Sequence, residues 1–448
     1  MKNKPAYIFI IIFFIAALFF IYLRYKIREH NEVTSFFELK ERKGSLALAP
    51  EWAKMQNTAA ALSRTIREHP KDKKSALGLA AIFIQEARVT GNYSYYDQAA
   101  MKQISHVLEL DPNDFQALTF KALIYLSLHH FADGLSIAMQ AQKINPYNSF
   151  IYGILVDADI ELGNYTEAIA NADKMDSIRP DLRSYSRISY IREIHGDYPG
   201  AIDAMKLAVD AGMPGDESTE WTRVQLGHLY ESTGDFQNAY IQYSLALEER
   251  TGYPYALAGL GHISMCQKQY KTALEYYLEA DSLLPDYSFR EDLVDLYKLT
   301  GENKKADSLA FLLIDRMSWD AVVANSNENM GHYVDKELAY TYLKINKLDK
   351  ALDHALAEYN RRPDNIEANE TLAWVYYNKG DYDKANSFIQ KALKTNSKNP
   401  SLLCYAGLIY LKYGDSGKAR ELLTEALKNN PGISENLKIE SIHALQTL

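Results

Sequence analysis

Apolar residues follow two different patterns along this 448-residue chain. The first is one unbroken run, Ala6 to Leu23, in which no residue is charged. At about 1.5 Å rise per residue such a helix is roughly 27 Å long, close to the hydrocarbon thickness of a bilayer. Tyr7 and Tyr22 stand near its ends, where interfacial aromatics belong. No small-x-small cleavage site follows; Leu23-Arg24-Tyr25-Lys26 comes instead, and no cysteine precedes Cys266. The expectation is an uncleaved membrane-spanning helix over 6–23, after a short tail (1–5) and before a juxtamembrane linker (24–50). Lys2 and Lys4 precede it and Arg24, Lys26 and Arg28 follow, so the flanking charges leave its orientation open.

The second pattern begins near residue 51. Apolar positions now recur three and four apart, as in Ala419-x-x-Leu422-Leu423-x-x-Ala426, and are broken at a fixed interval. Pro112, Pro146 and Pro180 are 34 residues apart; Pro363 and Pro431 are 68 apart, with Ser397 midway. Twelve residues before each of these prolines stands a small residue: Ala100, Gly134, Ala168, Ala351 and Ala419. Gly163-Asn164, Gly196-Asp197, Gly234-Asp235, Gly380-Asp381 and Gly414-Asp415 mark a turn inside the period, where glycine supplies φ > 0 at a helix end. Proline then stops the second helix, having no N–H to donate. Neither helix of such a pair can bury its apolar face alone, so the pairs must stack.

Ten units follow from this phase, at roughly 71–112, 113–146, 147–180, 181–213, 214–251, 252–285, 286–318, 330–363, 364–397 and 398–431. Residues 51–318 form a first array whose amphipathic segment 51–69 caps the start. Residues 330–431 form a second array, and 432–448 cap its end. Between them, 319–329 is rich in Asn, Ser and Asp and is the hinge candidate.

A 34-residue helix–turn–helix with these glycine turns and proline breaks resembles the tetratricopeptide-repeat superfamily over nearly all of 51–431. Glu86-Ala-Arg-Val-Thr-Gly91, Arg179-Pro-Asp-Leu, Ile191-Arg-Glu-Ile-His-Gly196 and Tyr253-Pro-Tyr-Ala-Leu-Ala-Gly-Leu-Gly261 also resemble a bacterial membrane-anchored group of that superfamily with no assigned function. The resemblance implies an all-α, right-handed superhelical solenoid of about ten units behind one transmembrane helix. The place expected is a single-pass one in a bacterial inner membrane.

Composition removes several classes of function. A formal charge of −9 and a pI near 5.7, with no basic stripe in the repeats, argue against nucleic acid. Cys266 and Cys404 lie in different units and read as separate buried thiols. Gly414-Asp-Ser-Gly417-Lys418-Ala419 has two residues between its glycines where a phosphate loop needs four, and Ala419 replaces the magnesium-binding hydroxyl. His228 and His262 are one period apart with Glu231 near, but a metal site needs further ligands. No catalytic constellation stands out. The expectation is a chain that is not an enzyme and takes no cofactor or metal.

Binding remains. The first helix of each unit lines the concave side, and its second, fifth, ninth and twelfth residues share a face. These are Trp221, Val224, His228 and Glu231 in the fifth unit, and Tyr255, Ala258, His262 and Met265 in the sixth. In the ninth they are Glu367, Glu370, Trp374 and Tyr377. Trp221, His228, Tyr255, His262, Met265, Trp374 and Tyr377 are the candidate partner-binding residues, suited to an extended peptide or a partner helix. The Lys, Arg and Asn that clamp a chaperone's carboxyl terminus in some relatives are missing: Thr119, Leu123, Gly153, Asp157, Val224 and His228 stand there instead. The expected role is a membrane-anchored scaffold or assembly factor. Its alternatives are a small-molecule or glycan binder using the same groove, and an accessory subunit of a membrane enzyme.

Overall fold

The computed structural model describes residues 37–326 and 331–448, together with 13, 14, 17–20 and 24. The expected membrane helix over 6–23 therefore lies mostly outside the described residues. Of that stretch, Phe13, Phe14, Leu18, Phe19 and Phe20 are helical and exposed. Among the described residues no helix is long and apolar enough to cross a membrane.

Helix is the only regular structure among the described residues. A 3-10 turn, Gly44–Leu48, leads into α1 (Trp52–Glu68). Antiparallel pairs follow: α2 (Lys73–Thr90) with α3 (Tyr93–Leu110), α4 (Phe115–Ser127) with α5 (Phe131–Ile144), α6 (Ser149–Leu162) with α7 (Tyr165–Ile178), and α8 (Leu182–Ile194) with α9 (Tyr198–Asp210). Next come α10 (Glu217–Ser232) with α11 (Phe236–Glu249), α12 (Pro254–Cys266) with α13 (Tyr270–Leu283), and α14 (Tyr287–Leu299) with α15 (Asn303–Ser326). The last pairs are α16 (Asp335–Lys344) with α17 (Leu348–Arg361), α18 (Ile366–Lys379) with α19 (Tyr382–Ala392), and α20 (Pro400–Tyr413) with α21 (Ser416–Leu427), before α22 (Glu435–Thr447).

Short polar side chains start many of these helices. Asp114 accepts from the Ala117 N–H, Asn365 from Ala368 and Asp415 from Lys418, each satisfying a donor that has no partner within its helix. Within a pair, small residues set the spacing. A Cβ on Gly227 would sit 2.3 Å from the Tyr243 ring, and one on Gly407 2.5 Å from Leu423. Tyr243 and Tyr277, one period apart, fill the space so created and are fully buried. Gly261 leaves the corresponding room for Tyr277 at 3.1 Å.

The hinge candidate needs correction. No proline or glycine occurs between Gly301 and Gly331, so nothing stops α15, which continues through 319–326 to Ser326. Asp320 is tied to the Tyr287 hydroxyl of the preceding helix. Nor do the two arrays swing free of each other. The solenoid coils back on itself, and residues 199 to 205 positions apart meet, which is about six 34-residue units per turn. The Tyr333 N–H donates to the Leu128 carbonyl at 3.1 Å and the Gly432 N–H to the Glu231 carbonyl at 2.9 Å. Asn365 donates to the Ile160 carbonyl at 3.2 Å, and the Ile366 N–H to the Tyr165 hydroxyl at 2.9 Å. Arg362, buried, joins Glu358 of its own turn to Glu161 of the turn before. At the start of the coil Arg42 is bound by Glu86 and Glu51, and Glu51 also takes Arg250 at 3.0 Å. This seam ties successive superhelical turns together around the concave face, termed the inner channel.

Candidate interaction channel

The first helices of the units supply the channel wall. On α18, Trp374 stacks on Tyr377 with ring centres 4.7 Å apart and lies 4.2 Å from the ring of Tyr405 on α20. All three rings are half-buried, with one side on the apolar core of the last units. The Tyr377 hydroxyl is already engaged: it donates to Glu440 of α22 at 2.8 Å, so the terminal helix reaches into this end of the wall.

Carboxylates surround the rings. Glu367 pairs with Lys336 of α16, whose ammonium holds it down to about 2. Lys344 bonds Asp295 at 2.9 Å, and Glu291 accepts from Thr341 at 3.1 Å. Glu370 on α18 and Glu193 on α8 differ from these. Both are half-buried, and neither makes a hydrogen bond or an ion pair among the described residues. Desolvation by the enclosing wall, together with the charge of Glu367, pushes Glu370 up to about 8 and Glu193 up to about 7. Desolvation also raises Glu291 to about 7. A narrow protein-lined space, in which a side chain touches water yet is poorly hydrated, accounts for such shifts.

The fifth and sixth units offer less open wall than their sequence suggests. Trp221 lies under the Arg88 guanidinium of the first unit, 5.9 Å from its ring centre. Tyr255 packs edge-on against Tyr253 and Phe289, at 5.7 and 5.6 Å. Met265 is turned inward: it is buried with Ala273, Tyr277, Leu293 and Leu296 and is not a channel residue. The two histidines do come together, around Glu231. The Tyr243 hydroxyl donates to Glu231 Oε1 at 2.7 Å and meets His228 Nδ1 at 2.9 Å, while His262 Nδ1 binds Glu231 Oε2. Segment 429–432 lies over this group, since a Cβ on Gly432 would be 3.2 Å from Glu231 and 3.3 Å from His262.

Sequence reasoning missed Glu193, Glu370 in its unpaired state, and Tyr405. Counting inner-face positions in every unit, and asking which acidic ones lack a basic neighbour, would have found the two carboxylates. Tyr405 lies off that face count and needed the structure.

A family model described as the tetratricopeptide repeat matches residues 222–251 and 366–399, which follow the helix pairs α10–α11 and α18–α19. The chain contains tetratricopeptide repeats at these two places. None of the curated proteins matches it. Among solved structures, a thermophilic tetratricopeptide protein of Thermus thermophilus is similar at 19% identity, covering 46% of this chain and 98% of that one, with a TM-score of 0.36. A tetratricopeptide protein of Parabacteroides merdae is similar at 18% identity, covering 59% of this chain and 98% of that one, with a TM-score of 0.34. The human IFIT1 dimer with m7Gppp-AAAA is similar at 13% identity, covering 77% of this chain and 78% of that one, with a TM-score of 0.48.

The channel carboxylates give this protein a defined pH response. Glu193, Glu291 and Glu370 have folded-state values above their unfolded ones, so their stabilising effect is complete below about 4.3 and lost as pH rises through 7 to 8. His129 and His332 act oppositely. Burial pushes both down to about 3, so their effect is present above about 6.5 and lost as pH falls below that value. The melting temperature should therefore decline from about pH 6.5 to 8.5, a range in which the histidines contribute no change and the glutamates still titrate. Glu370→Gln should remove part of the alkaline decline, by roughly 2 kcal/mol, when melting curves are compared across pH.

Proposed function

We propose that this protein is a membrane-anchored interaction scaffold whose inner channel holds an extended, basic segment of a partner protein. One observation carries this reading. Glu193 and Glu370 sit half-buried on the channel wall without an ion pair of their own among the described residues, although burial disfavours their charge. A lysine or arginine from outside would meet both demands, because a paired buried carboxylate is far less costly than a lone one. The Trp374–Tyr377–Tyr405 stack beside Glu370 offers apolar and cation–π contact to the same segment. The anchor, and with it a bacterial inner-membrane location, rests on the uncharged run Ala6–Leu23.

The test is affinity capture from native membranes with the full chain and with Trp374→Ala/Glu370→Gln. Loss of the double variant's captured partner by about tenfold or more, with unchanged circular dichroism, is the expected result. Equal capture by the two proteins would refute the channel as the binding site.

A further inference from the structure

Cys266 is the last residue of α12, one turn beyond His262 on the same face. Its Sγ lies 3.9 Å from His262 Nε2. The other ring nitrogen, Nδ1, is bound by Glu231 Oε2. Glu231 cannot move away: it is buried on α10, its second oxygen accepts the Tyr243 hydroxyl at 2.7 Å, and Gly432 closes over it. A thiol, an imidazole and a fixed carboxylate thus stand in line, drawn from two adjacent units. A nucleophile, a base and a group that orients the base form the recurring arrangement of nucleophilic sites. Cys266 is only half-buried, so a small molecule can reach it. Cys404 has no such neighbours; it is fully buried, and burial pushes its thiol up to about 11.

We propose that Cys266 is a nucleophilic thiol, primed by His262 and Glu231, that undergoes exchange with low-molecular-weight disulfides. The Sγ proton leaves to solvent, and the thiolate stays beside the His262 imidazolium, whose other N–H donates to Glu231. The thiolate attacks one sulfur of the disulfide; a new S–S bond forms at Cys266 and the old one breaks. The departing thiolate takes a proton from solvent, so no other oxidant or reductant is used. His262 has to supply the stabilisation, because the carboxyl end of α12 disfavours a negative sulfur. The charged and titratable groups around the imidazole are Glu231 and His228 from α10, Tyr243 from α11, Tyr277 from α13 and Asp292 from α14. Among these, the Glu231 carboxylate outweighs the burial that opposes charge on His262 and raises it well above an ordinary histidine.

The test is the rate of mixed-disulfide formation at Cys266 with oxidised glutathione, followed by mass spectrometry of the full chain between about pH 5.5 and 9, with Cys404 as internal reference. At about pH 6.5 an ordinary thiol is almost wholly protonated. Cys266 should there react about tenfold or more faster than in the urea-unfolded chain, while Cys404 stays unmodified. His262→Gln and the isosteric Glu231→Gln should each slow it about tenfold at that pH and converge on the parent rate near pH 9. Two variants guard against one failing to fold, and circular dichroism identifies which is native. The proposal is overturned if folded Cys266 reacts no faster than the unfolded chain at pH 6.5. A native variant with an unchanged pH profile overturns it as well.

Discussion

Gly163→Ala and Gly234→Ala should each destabilise the protein far more than Gly380→Ala or Gly414→Ala, although all four glycines end a first helix with positive φ. The values are close, +83°, +79°, +79° and +106°. Left-handed backbone costs a residue with a Cβ about 1 kcal/mol, and this part is common to the four. What differs is the neighbour. A Cβ at Gly163 would lie 2.2 Å from the Asp364 carbonyl oxygen, and one at Gly234 1.9 Å from that of Asn429. Those oxygens belong to backbone of the next superhelical turn and cannot swing aside. At Gly380 and Gly414 nothing lies within 4 Å. The seam pair should therefore lose a further 1–3 kcal/mol or so, the range for overpacked contacts. Chemical denaturation gives the difference, and faster amide exchange over 429–435 should accompany it. Equal losses at all four positions would mean the turns do not touch.

Arg362→Ala should be the most damaging single removal of a charge. Arg362 is 4% exposed as a side chain and is held by Glu358, 5% exposed, and by Glu161 across the seam. Its guanidinium also lies 5.2 Å from the ring centre of Phe131, another residue of the earlier turn. Deleting it leaves Glu161 without an ion-pair partner and Glu358 with Arg361 alone, and breaking such a pair typically costs about 3–5 kcal/mol. Lys418→Ala, from an exposed pair with Glu421 one helical turn away, should change stability by about 0.5 kcal/mol or less. The triple variant Arg362→Met/Glu358→Gln/Glu161→Gln should regain much of the loss, because no unpaired charge remains. Failure of the triple variant to recover would locate the cost in packing against Phe131.

These two seams explain how far the sequence could be followed. Proline spacing and Gly-Asp turns make helix pairs legible, because each repeat is a local structure whose phase is written in its own residues. The close crossings at Gly227, Gly261 and Gly407 are local to one helix pair in the same way. The turn of about six units was not legible, since it accumulates from small rotations between neighbours that no single motif encodes. With it went the second task of Gly163 and Gly234, the partner of Arg362, and the covering of Trp221 by Arg88. The break near 320 misled because Asn, Ser and Asp raise the odds of a loop only where a proline or glycine also stops the helix. The Cys266–His262–Glu231 line was open to inspection, as a cysteine four residues after a histidine on one helix face. Met265 was misassigned because helical spacing says which residues share a side, and only the packing of Tyr277 says which of them is buried.

The central claim is that the channel exists to take a cationic segment of another protein onto Glu193 and Glu370. Both carboxylates are held partly protonated near neutrality when the channel is empty, at about 7 and about 8. A lysine or arginine binds only their charged forms, so binding must release protons there and strengthen as pH rises. The decisive measurement is isothermal titration of the full chain with the basic segment of its captured partner, at about pH 6 and about pH 8, in buffers of different ionisation enthalpy. The account predicts proton release on binding at pH 6, an affinity higher by about tenfold or more at pH 8, and loss of that difference in Glu193→Gln/Glu370→Gln. Proton uptake, or an affinity in the double variant equal to the parent's at both pH values, would contradict it.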